Sequence, residues 1–469
     1  MSGLLLGVDV GTTATKVGLF TAGGILLAQA HASYALHTET GAEADPEHWW
    51  EAFLAGLHHV LASASGQPIA ALAIGGQGGA LVPVDAAGRA LRRALIWMDR
   101  RATSEARELS QRLGRRFDAE HLEAKALWLK RHEPAVYQQA RYFLQCPDFL
   151  TFRLTGAALG TTCSEDTCPW SLDTLEAAGL ERFPPLIPIG QPLGQVQAAI
   201  AGLPLGTPVI SGGLDFFAAI LGAASLWPGN LCVTGGTSLC VSLAWHQGLS
   251  PPEPRFLAVP FPLLESQQWL WEAFTSTAGK CLEWARDTLA PGLSLAEVLA
   301  QAAEAPAGSG GLIFLPYLAG ERCPMWDPAA RGAFIGLSLG SRRPELLRSV
   351  LEGVAYSAAQ LVNLLCSHGP QVTQVTATGG LSTAPLWNQI LADVLGHPVQ
   401  VASDATLVGE MLLAGWGTGA FPDLRQAARH AVRLGDPILP NPEHHQRYQE
   451  QLGIFQQLYP SLKQVERIR

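Results

Sequence analysis

The chain has 469 residues, of which 48% are apolar and 15% charged, and its formal net charge is −9. Because this length exceeds what one hydrophobic core supports, two large globular domains are expected. The acidic balance without a basic run argues against nucleic acid or an anionic membrane as a partner, and no run approaches the roughly 18 apolar residues of a bilayer span.

The first distinctive segment is GVDVGTTATK at residues 7–16. It matches neither a P-loop nor a dinucleotide fingerprint, because the required glycine spacings are absent. LLLGVDV, ATKVGLF and ILLAQA instead predict three strands joined by tight turns. The GTT turn would present backbone N–H groups and hydroxyls beside Asp9, and such a nest can hold phosphate oxygens without a helix. An ordinary hairpin is the alternative for this segment alone.

Strands and helices alternate after this meander. Asp45 and Pro46 are typical of the start of a helix, which is predicted to continue through HWWEAFLAGLHHVLA. IAALAIG then predicts a buried strand, and GGALVPVDAAGRAL predicts a strand, a turn and a further strand. RATSEARELSQRL, LEAKALWLKRH and DFLTFRLTG predict helices. The order indicates an α/β protein.

The pattern of the opening returns between residues 203 and 243. LPLGTPVISGGLD predicts a strand ending at Asp215, a helix follows in FFAAILGAAS, and VTGGTSLCVS repeats the hairpin with a Gly-Thr-Ser turn. This indicates two related domains with boundaries at 1–225 and 226–435, followed by a polar, more helical tail at 436–469. A third glycine turn, Gly379-Gly380, separates a strand from a helix beginning near Pro385. It would let a flat ring approach the backbone, although a plain loop is the alternative.

Cysteine and histidine patterns exclude several chemistries. The eight cysteines are scattered without a C-x-x-C pair, which fits a reducing cytoplasm and argues against a zinc site. No H-E-x-x-H occurs, so a zinc protease has little support. Asp9 interrupts the short apolar N-terminal stretch, and no signal peptide is expected.

Taken in order, these segments resemble the FGGY family of carbohydrate kinases, in the actin-like ATPase superfamily. The resemblance covers almost the whole chain and includes ALIWMDRRA, STAGKCLEW, LPYLAGERCPMWDPAARGAFIGLS, LEGVAYSAA and GGLSTAPLWNQILAD. It implies an α/β fold of two duplicated actin/ribonuclease-H-like domains around a central cleft. It also implies ATP and Mg²⁺ as cofactors, a small sugar as substrate and a cytoplasmic location, and a homodimer is an assembly it allows.

The resemblance also implies the site residues. Asp215 would act as general base, a role typically worth about 10²–10⁴ in rate, although an aspartate there could also cap the helix. Asp9 would orient Mg²⁺ through water, and Asp215 is the second expected metal residue. The residues expected to bind the nucleotide are Gly11, Thr12, Thr13, Lys16, Gly236, Thr237, Gly279, Glu283, Gly379 and Gly380. Ala384 stands where some family members place an asparagine near adenine, so that contact is not expected here.

The expected substrate residues are Gln77, Gly78, Gly79, Trp97, Asp99 and Asp215. Gly78 and Gly79 depart from the family, because xylulose kinases usually show G-Q-M-H-G there and glycerol kinases an Arg-Glu pair. The predicted function is therefore ATP-dependent phosphorylation of a small sugar, with a pentulose such as xylulose or ribulose first. A glycerol, polyol or aldonate kinase of the same family is one alternative. An actin-like ATPase switch without sugar kinase activity is the other.

Overall fold

The computed structural model describes residues 3–37, 41–163, 168–249, 253–261, 263 and 268–466. It divides into two compact units. Unit 1 comprises Met1–Ala224 and Thr406–Val432, and unit 2 comprises Ser225–Ala405 and Arg433–Arg469. The sequence prediction differs in two places, because it assigned residues 406–432 to the second domain and 436–469 to a separate tail. The predicted boundaries remain a proposal.

The elements of residues 3–224 alternate between strands and helices. The strands are β1 (Leu4–Val10), β2 (Ala14–Phe20), β3 (Leu26–Ser33), β4 (Glu43–Ala44), β5 (Ile69–Gly76), β6 (Val82–Val84), β7 (Ala94–Leu95), β8 (Tyr142–Leu144), β9 (Gly160–Thr162), β10 (Leu186–Pro188), β11 (Pro192–Gln195) and β12 (Pro208–Leu214). The helices are α1 (Pro46–Leu61), α2 (Thr103–Leu113), α3 (Leu122–His132), α4 (Pro134–Gln139), α5 (Cys146–Thr155), α6 (Leu172–Ala178) and α7 (Asp215–Gly222).

The remaining elements lie between residues 225 and 466. The strands are β13 (Asn230–Gly235), β14 (Leu239–Trp245), β15 (Leu257–Pro260), β16 (Trp269–Phe274), β17 (Ile313–Leu315), β18 (Ala333–Ile335), β19 (Gln374–Thr378) and β20 (Val399–Val401). The helices are α8 (Gly279–Leu289), α9 (Leu295–Glu304), α10 (Arg343–Cys366), α11 (Pro385–Leu395), α12 (Ala405–Gly417), α13 (Leu424–Ala431) and α14 (Pro442–Glu466). Short 3₁₀ turns occupy Ser309–Gly311 and Gly380–Thr383.

Each unit is built on a six-stranded sheet with the same core pattern. In unit 1 the order is β11-β12-β5-β1-β2-β3, and in unit 2 it is β15-β16-β14-β13-β19-β20. In each sheet three neighbouring antiparallel strands, β1-β2-β3 or β13-β14-β16, adjoin two strands that run parallel to the first of them, β5 and β12 or β19 and β20. The α/β class and the predicted internal duplication are therefore confirmed.

The core of unit 1 forms where helices cover the faces of its sheet. All seven residues of β1 are buried, as expected of a central strand covered on both faces. Helix α1 begins after the capping residue Asp45, with Pro46 in its first turn, as predicted. Its Trp49 and Phe53 are buried. A Cβ at Gly56 would lie 2.6 Å from Val17 Cγ2, so glycine permits the close approach of α1 to β2.

Helix α12 packs in unit 1 through very close backbone contacts. A Cβ at Gly7 of β1 would lie 2.4 Å from the carbonyl oxygen of Leu407. A Cβ at Gly409 would lie 1.9 Å from the carbonyl oxygen of Ala218 in α7. These glycines let α12 reach β1 and α7, which explains why a segment far along the sequence belongs to unit 1.

Two helices organise the core of unit 2. Among the described residues, α10 is the one helix long and apolar enough to cross a membrane, by length and composition, but 83% of that window is buried in the protein, as in a core helix. Helix α14 packs on α10 and α11 and buries Tyr448, whose hydroxyl donates to Glu352 at 2.8 Å. Arg348 donates to the same carboxylate at 2.7 Å. This buried network joins the predicted tail to unit 2.

Candidate active site

The turn between β1 and β2 is anchored by hydrogen bonds from three other segments. The Gly11 carbonyl accepts from the Tyr34 hydroxyl at 2.5 Å and from Gln77 Nε2 at 3.2 Å. Trp97 Nε1 donates to Thr12 Oγ1 at 3.0 Å. Gln77 and Trp97, two of the predicted substrate residues, therefore contact the predicted phosphate turn directly. Sequence reasoning missed Tyr34, because a lone tyrosine after an edge strand carries no distinctive signal.

Two acidic residues meet beside this turn because of the sheet order. Asp9 lies near the end of β1, opposite Lys16 of β2, and Asp215 is the first residue of α7, directly after β12. Strands β1, β5 and β12 are parallel neighbours, so their carboxyl ends lie at one edge. Burial and the nearby charge of Asp9 raise the pKa of Asp215 to about 7. Burial also raises the pKa of Asp9, and the charge of Lys16 opposes that rise.

The predicted nucleotide residues of unit 2 form their own cluster. The Gly279 N–H donates to the Gly236 carbonyl at 2.9 Å, and the Ala278 N–H donates to the Thr237 carbonyl at 2.9 Å. Gly379 has φ +84°, and a Cβ there would lie 2.6 Å from the Gly235 carbonyl oxygen. Glycine satisfies both constraints without strain, because it adopts positive φ readily and has no Cβ to clash with this oxygen. The second hairpin turn, the start of α8 and the turn after β19 are therefore in mutual contact.

Gly380 and Glu283 lie at the exposed margin of that cluster. Gly380 begins the 3₁₀ turn before α11 and is exposed. Glu283 is exposed on α8 and forms an ion pair with Lys280 at 2.6 Å. Ala384, the position without a polar side chain, is buried at the start of α11.

Comparison with known families agrees with this geometry. Residues 4–222 match the N-terminal domain model, and residues 231–418 the C-terminal domain model, of the FGGY family of carbohydrate kinases. The chain belongs to this family. The predicted family, fold class and phosphotransferase activity are therefore confirmed. FGGY kinases use ATP as phosphoryl donor.

Individual relatives cover nearly the whole chain. A xylulose kinase of Staphylococcus epidermidis is 27% identical over 98% of this chain and 97% of its own length. The crystal structures of a gluconate kinase and of a ligand-bound xylulose kinase, both from Lactobacillus acidophilus, each superpose with a TM-score of 0.85. Each is 25% identical and covers 98% of both chains. FGGY relatives that match this chain closely therefore carry different substrate names.

A buried glutamate that sequence reasoning missed adjoins the acidic pair of this FGGY kinase. Glu410 of α12 is fully buried, and among the described residues neither of its carboxylate oxygens has a hydrogen-bond partner. A Cβ at Gly75 or at Gly212 would lie 2.0 Å from one of these oxygens. Burial, with the charges of Asp9 and Asp215, raises the pKa of Glu410 well above its ordinary value. The carboxyl group therefore fills a space that two glycines of β5 and β12 leave open.

Asp99, the remaining charged substrate candidate, is already engaged. Its carboxylate accepts from Arg101 Nη2 at 2.7 Å and from the Ala42 N–H at 2.9 Å. Burial disfavours the charged form of Asp99, whereas the contacts with Arg101 and Ala42 favour it. The contacts outweigh burial, so the pKa of Asp99 lies below its ordinary value. Asp99 thus holds two segments of unit 1 together, and a direct sugar contact by Asp99 stays a prediction.

The residues around Asp9 fit a hydrated divalent cation. Asp9 Oδ1 is buried without a hydrogen-bond partner among the residues that the structure describes, and a buried carboxylate oxygen in that condition needs a cation or a donor. Across the described part of the chain, no three His, Cys, Asp or Glu side chains form a metal cage. An ion here would take most of its ligands from water and phosphate oxygens, which is the coordination that Mg²⁺ prefers in proteins.

Proposed function

We propose that this FGGY kinase transfers the γ-phosphoryl group of ATP, with Mg²⁺, to a hydroxyl of a pentulose such as xylulose or ribulose. The observation that carries the proposal is the pairing of Asp9 and Asp215 beside the Gly11–Thr13 turn, with Lys16 opposite Asp9. The name of the matching Staphylococcus epidermidis relative, xylulose kinase, supports a pentulose.

Each proposed role follows from the position of the residue. Asp215 accepts the proton of the attacking hydroxyl, because a buried carboxylate with a pKa of about 7 is suited to a general base near neutral pH. The amides and hydroxyls of Gly11, Thr12 and Thr13 bind phosphate oxygens, and Lys16 adds a positive charge. A divalent cation, held through Asp9 with Asp215 nearby, would neutralise phosphate charge.

The remaining predicted residues complete the proposal. In unit 2, Gly236, Thr237, Gly279, Gly379 and Gly380 bind the nucleotide through backbone groups, and Glu283 lies at the exposed margin. In unit 1, Gln77, Gly78, Gly79, Trp97 and Asp99 surround the sugar. A cytoplasmic location without a nucleic-acid or membrane partner is included, because all eight cysteines are free thiols and the net charge is −9.

A panel of ketoses, polyols and aldonates in a coupled ADP-release assay tests this function. We expect turnover that rises several-fold above the sugar-free rate with a pentulose. The fold match to a gluconate kinase favours an aldonate as the second candidate, and a preference for gluconate would replace the pentulose. ATP turnover that no member of the panel stimulates would contradict sugar kinase activity and favour an actin-like ATPase switch.

A further inference from the structure

A fully buried lysine lies behind the proposed sugar-side loops. Lys125 of α3 is 0% exposed. Its ammonium group donates to the carbonyl of Gly79, to the carbonyl of Ile96 at 2.9 Å and to the carbonyl of Glu120 at 3.3 Å. An ammonium has three N–H donors, and here each has a backbone acceptor. The side chain therefore joins the loop after β5, the turn after β7 and the segment before α3.

Two of these segments carry the side chains that contact the phosphate turn. Gln77 lies in the loop that Lys125 holds at Gly79, and its amide donates to the Gly11 carbonyl. Trp97 directly follows Ile96, and its indole donates to Thr12. The positions of both proposed substrate residues relative to the phosphate turn thus depend on backbone that Lys125 binds.

The packing at Gly79 shows how tightly the three segments meet. Gly79 has φ +66°, and a Cβ there would lie 3.1 Å from Trp97 Cβ and 3.2 Å from the Glu120 carbonyl oxygen. Small displacements of one segment would therefore be transmitted to the others. Without a cross-link, three loops of this kind would have to be ordered by weaker contacts alone.

The energetic cost of burying an ammonium argues that this group has a specific task. Burial lowers the pKa of Lys125 to about 7, while the charges of Glu120, Asp99 and Asp118 oppose the change. A buried charge is retained only where hydrogen bonds compensate its lost hydration. A leucine or methionine would fill a helix face at lower cost, and neither could bind three carbonyls.

We propose that Lys125 is a positioning residue for the sugar: its ammonium group fixes the Gln77–Gly79 loop and the Ile96–Trp97 turn against the phosphate turn. This inference rests on the proposed sugar kinase function. Lys125 itself touches no reacting atom, and the residues proposed to bind the nucleotide outside the Gly11–Lys16 segment all lie in unit 2. Its loss should therefore raise the KM of the sugar more than the KM of ATP.

Lys125→Met tests the proposal, because it keeps an unbranched apolar side chain that ends at Cε and removes the ammonium. Lys130→Met is the matched control, since Lys130 lies on the same helix and donates to a single carbonyl, that of Gly179, at an exposed site. For Lys125→Met we expect the KM of the sugar to rise about tenfold or more, as for lost hydrogen bonds to a charged group. The KM of ATP should stay within about twofold. An equal rise of both constants, or no rise of either, would overturn the proposal.

Amide hydrogen exchange on the unliganded protein separates this inference from the proposed activity. In Lys125→Met the amides of residues 77–81 and 95–99 should exchange faster than in wild type, while those of β13 and β14 should not change. In Lys130→Met the amides of residues 77–81 and 95–99 should exchange as in wild type. Unchanged protection of both loops would refute the role of Lys125, whatever the substrate. If wild type shows no sugar-stimulated turnover, the activity fails and the exchange result still decides about Lys125. Should Lys125→Met not fold, Lys125→Gln, which keeps one amide donor, is measured by the same criteria.

Discussion

The first hairpin of each unit has the same backbone plan and a different chemistry. In unit 1, the second cross-strand pair from the turn joins Asp9 to Lys16, and in unit 2 the equivalent pair joins Thr234 to Cys240. Both turns are closed by a glycine N–H, that of Gly11 to the Ala14 carbonyl at 3.0 Å and that of Gly236 to the Ser238 carbonyl at 2.9 Å. The duplicated turn thus kept its backbone donors in both units, and charged side chains line it in unit 1.

The difference assigns separate tasks to the two turns. Backbone N–H groups and hydroxyls can bind phosphate at either turn, but proton transfer and cation binding need carboxylates. In unit 1 burial and the charge of Asp9 raise the pKa of Asp215, and burial with the charges of Asp9 and Asp215 raises the pKa of Glu410. We therefore expect substitutions of carboxylates in unit 1 to reduce the chemical step, and substitutions at equivalent positions of unit 2 to affect nucleotide binding at most.

The largest effect is expected for Asp215→Ala. Loss of the general base should lower sugar-dependent turnover at least about 100-fold and leave the affinity for ATP nearly unchanged, as measured by coupled ADP release and by calorimetric nucleotide binding. Asp173→Ala is the control, because Asp173 also lies in the first turn of a helix, α6, and is exposed. Retention by Asp215→Ala of more than about a tenth of the wild-type turnover would contradict a base role.

Asp9→Ala should produce the next largest effect, and Thr234→Ala is its matched control in unit 2. Without Asp9 the cation would lose its only carboxylate in the first phosphate turn. Turnover should fall about tenfold or more at low millimolar Mg²⁺ and recover in part at higher Mg²⁺ or Mn²⁺. Titrations of both metals with the wild type and the two variants measure this. Normal turnover of Asp9→Ala at low Mg²⁺ would show that another residue holds the ion.

The activity of the wild type should depend on pH through the raised pKa of Asp215. Its pKa is raised to about 7, and only the ionised carboxylate accepts a proton. Activity should therefore be full above this pKa and fall about tenfold per pH unit well below it. The measurement is kcat/KM for the sugar from pH 5 to 9 at fixed Mg²⁺ and saturating ATP. A flat profile down to pH 5.5 would contradict the raised pKa in the working enzyme.

Local sequence patterns predicted much of the fold. LEAKALWLKRH predicts the helix that the structure places at Leu122–His132, ended by Glu133 and Pro134. The helix expected from about Pro385 begins there, with proline in its first turn. Asp9 and Asp215 could be paired in advance, because the motifs of the FGGY resemblance identified both.

Long-range contacts account for what the sequence did not reveal. Glu410 lies in the apolar segment GEMLLAGWG, about 200 residues after Asp215, and only the packing of α12 against Gly75 and Gly212 makes it part of the site. Lys125 is one charged residue of an ordinary helix until its three carbonyl partners are known. The motif around Asp99 does not show that Arg101 and Ala42 already bind its carboxylate. These partners bear on whether Asp99 is available to contact the sugar.

A smaller effect is expected where the sugar-side loop lacks a polar anchor. Gly79 has φ +66°, so histidine there is strained, whereas a Cβ at Gly78 meets only the flexible end of Leu214, at 3.0 Å. Leu214 directly precedes Asp215, so Gly78 lies close to the segment that carries the proposed base. Wild type should bind xylulose with a millimolar KM, and Gly78→His should lower that constant several-fold. Gly79→His is the strained control and should not lower it. A micromolar KM for wild type would show that the pocket is complete without an anchor.

The smallest expected effect concerns stability, and it compares one buried glutamate in each unit. Glu410 has no hydrogen-bond partner within the part of the chain that the structure describes, whereas Glu272 of β16 accepts from the Ser242 hydroxyl at 3.1 Å. Burial raises the pKa of both, that of Glu272 to about 8. A glutamate with a raised folded-state pKa contributes its stability in full below its unfolded-state pKa and loses it as the pH rises through the folded-state pKa.

Glu410→Gln and Glu272→Gln remove that loss while keeping the shape of the side chain. The melting temperature of Glu410→Gln should therefore exceed that of wild type by roughly 2–4 °C at pH 8 and by less at pH 5. A shift of this size corresponds to about 1 kcal/mol in a domain of this length. Glu272→Gln should gain less at pH 8, because the serine already compensates part of the cost of burial. Thermal unfolding of the three proteins at both pH values measures the difference. A gain that is the same at pH 5 and pH 8, or a larger gain for Glu272→Gln, would contradict this expectation. It would mean that burying Glu410 beside Asp9 and Asp215 does not lower the stability of unit 1 at high pH, and the two units would then differ in chemistry alone.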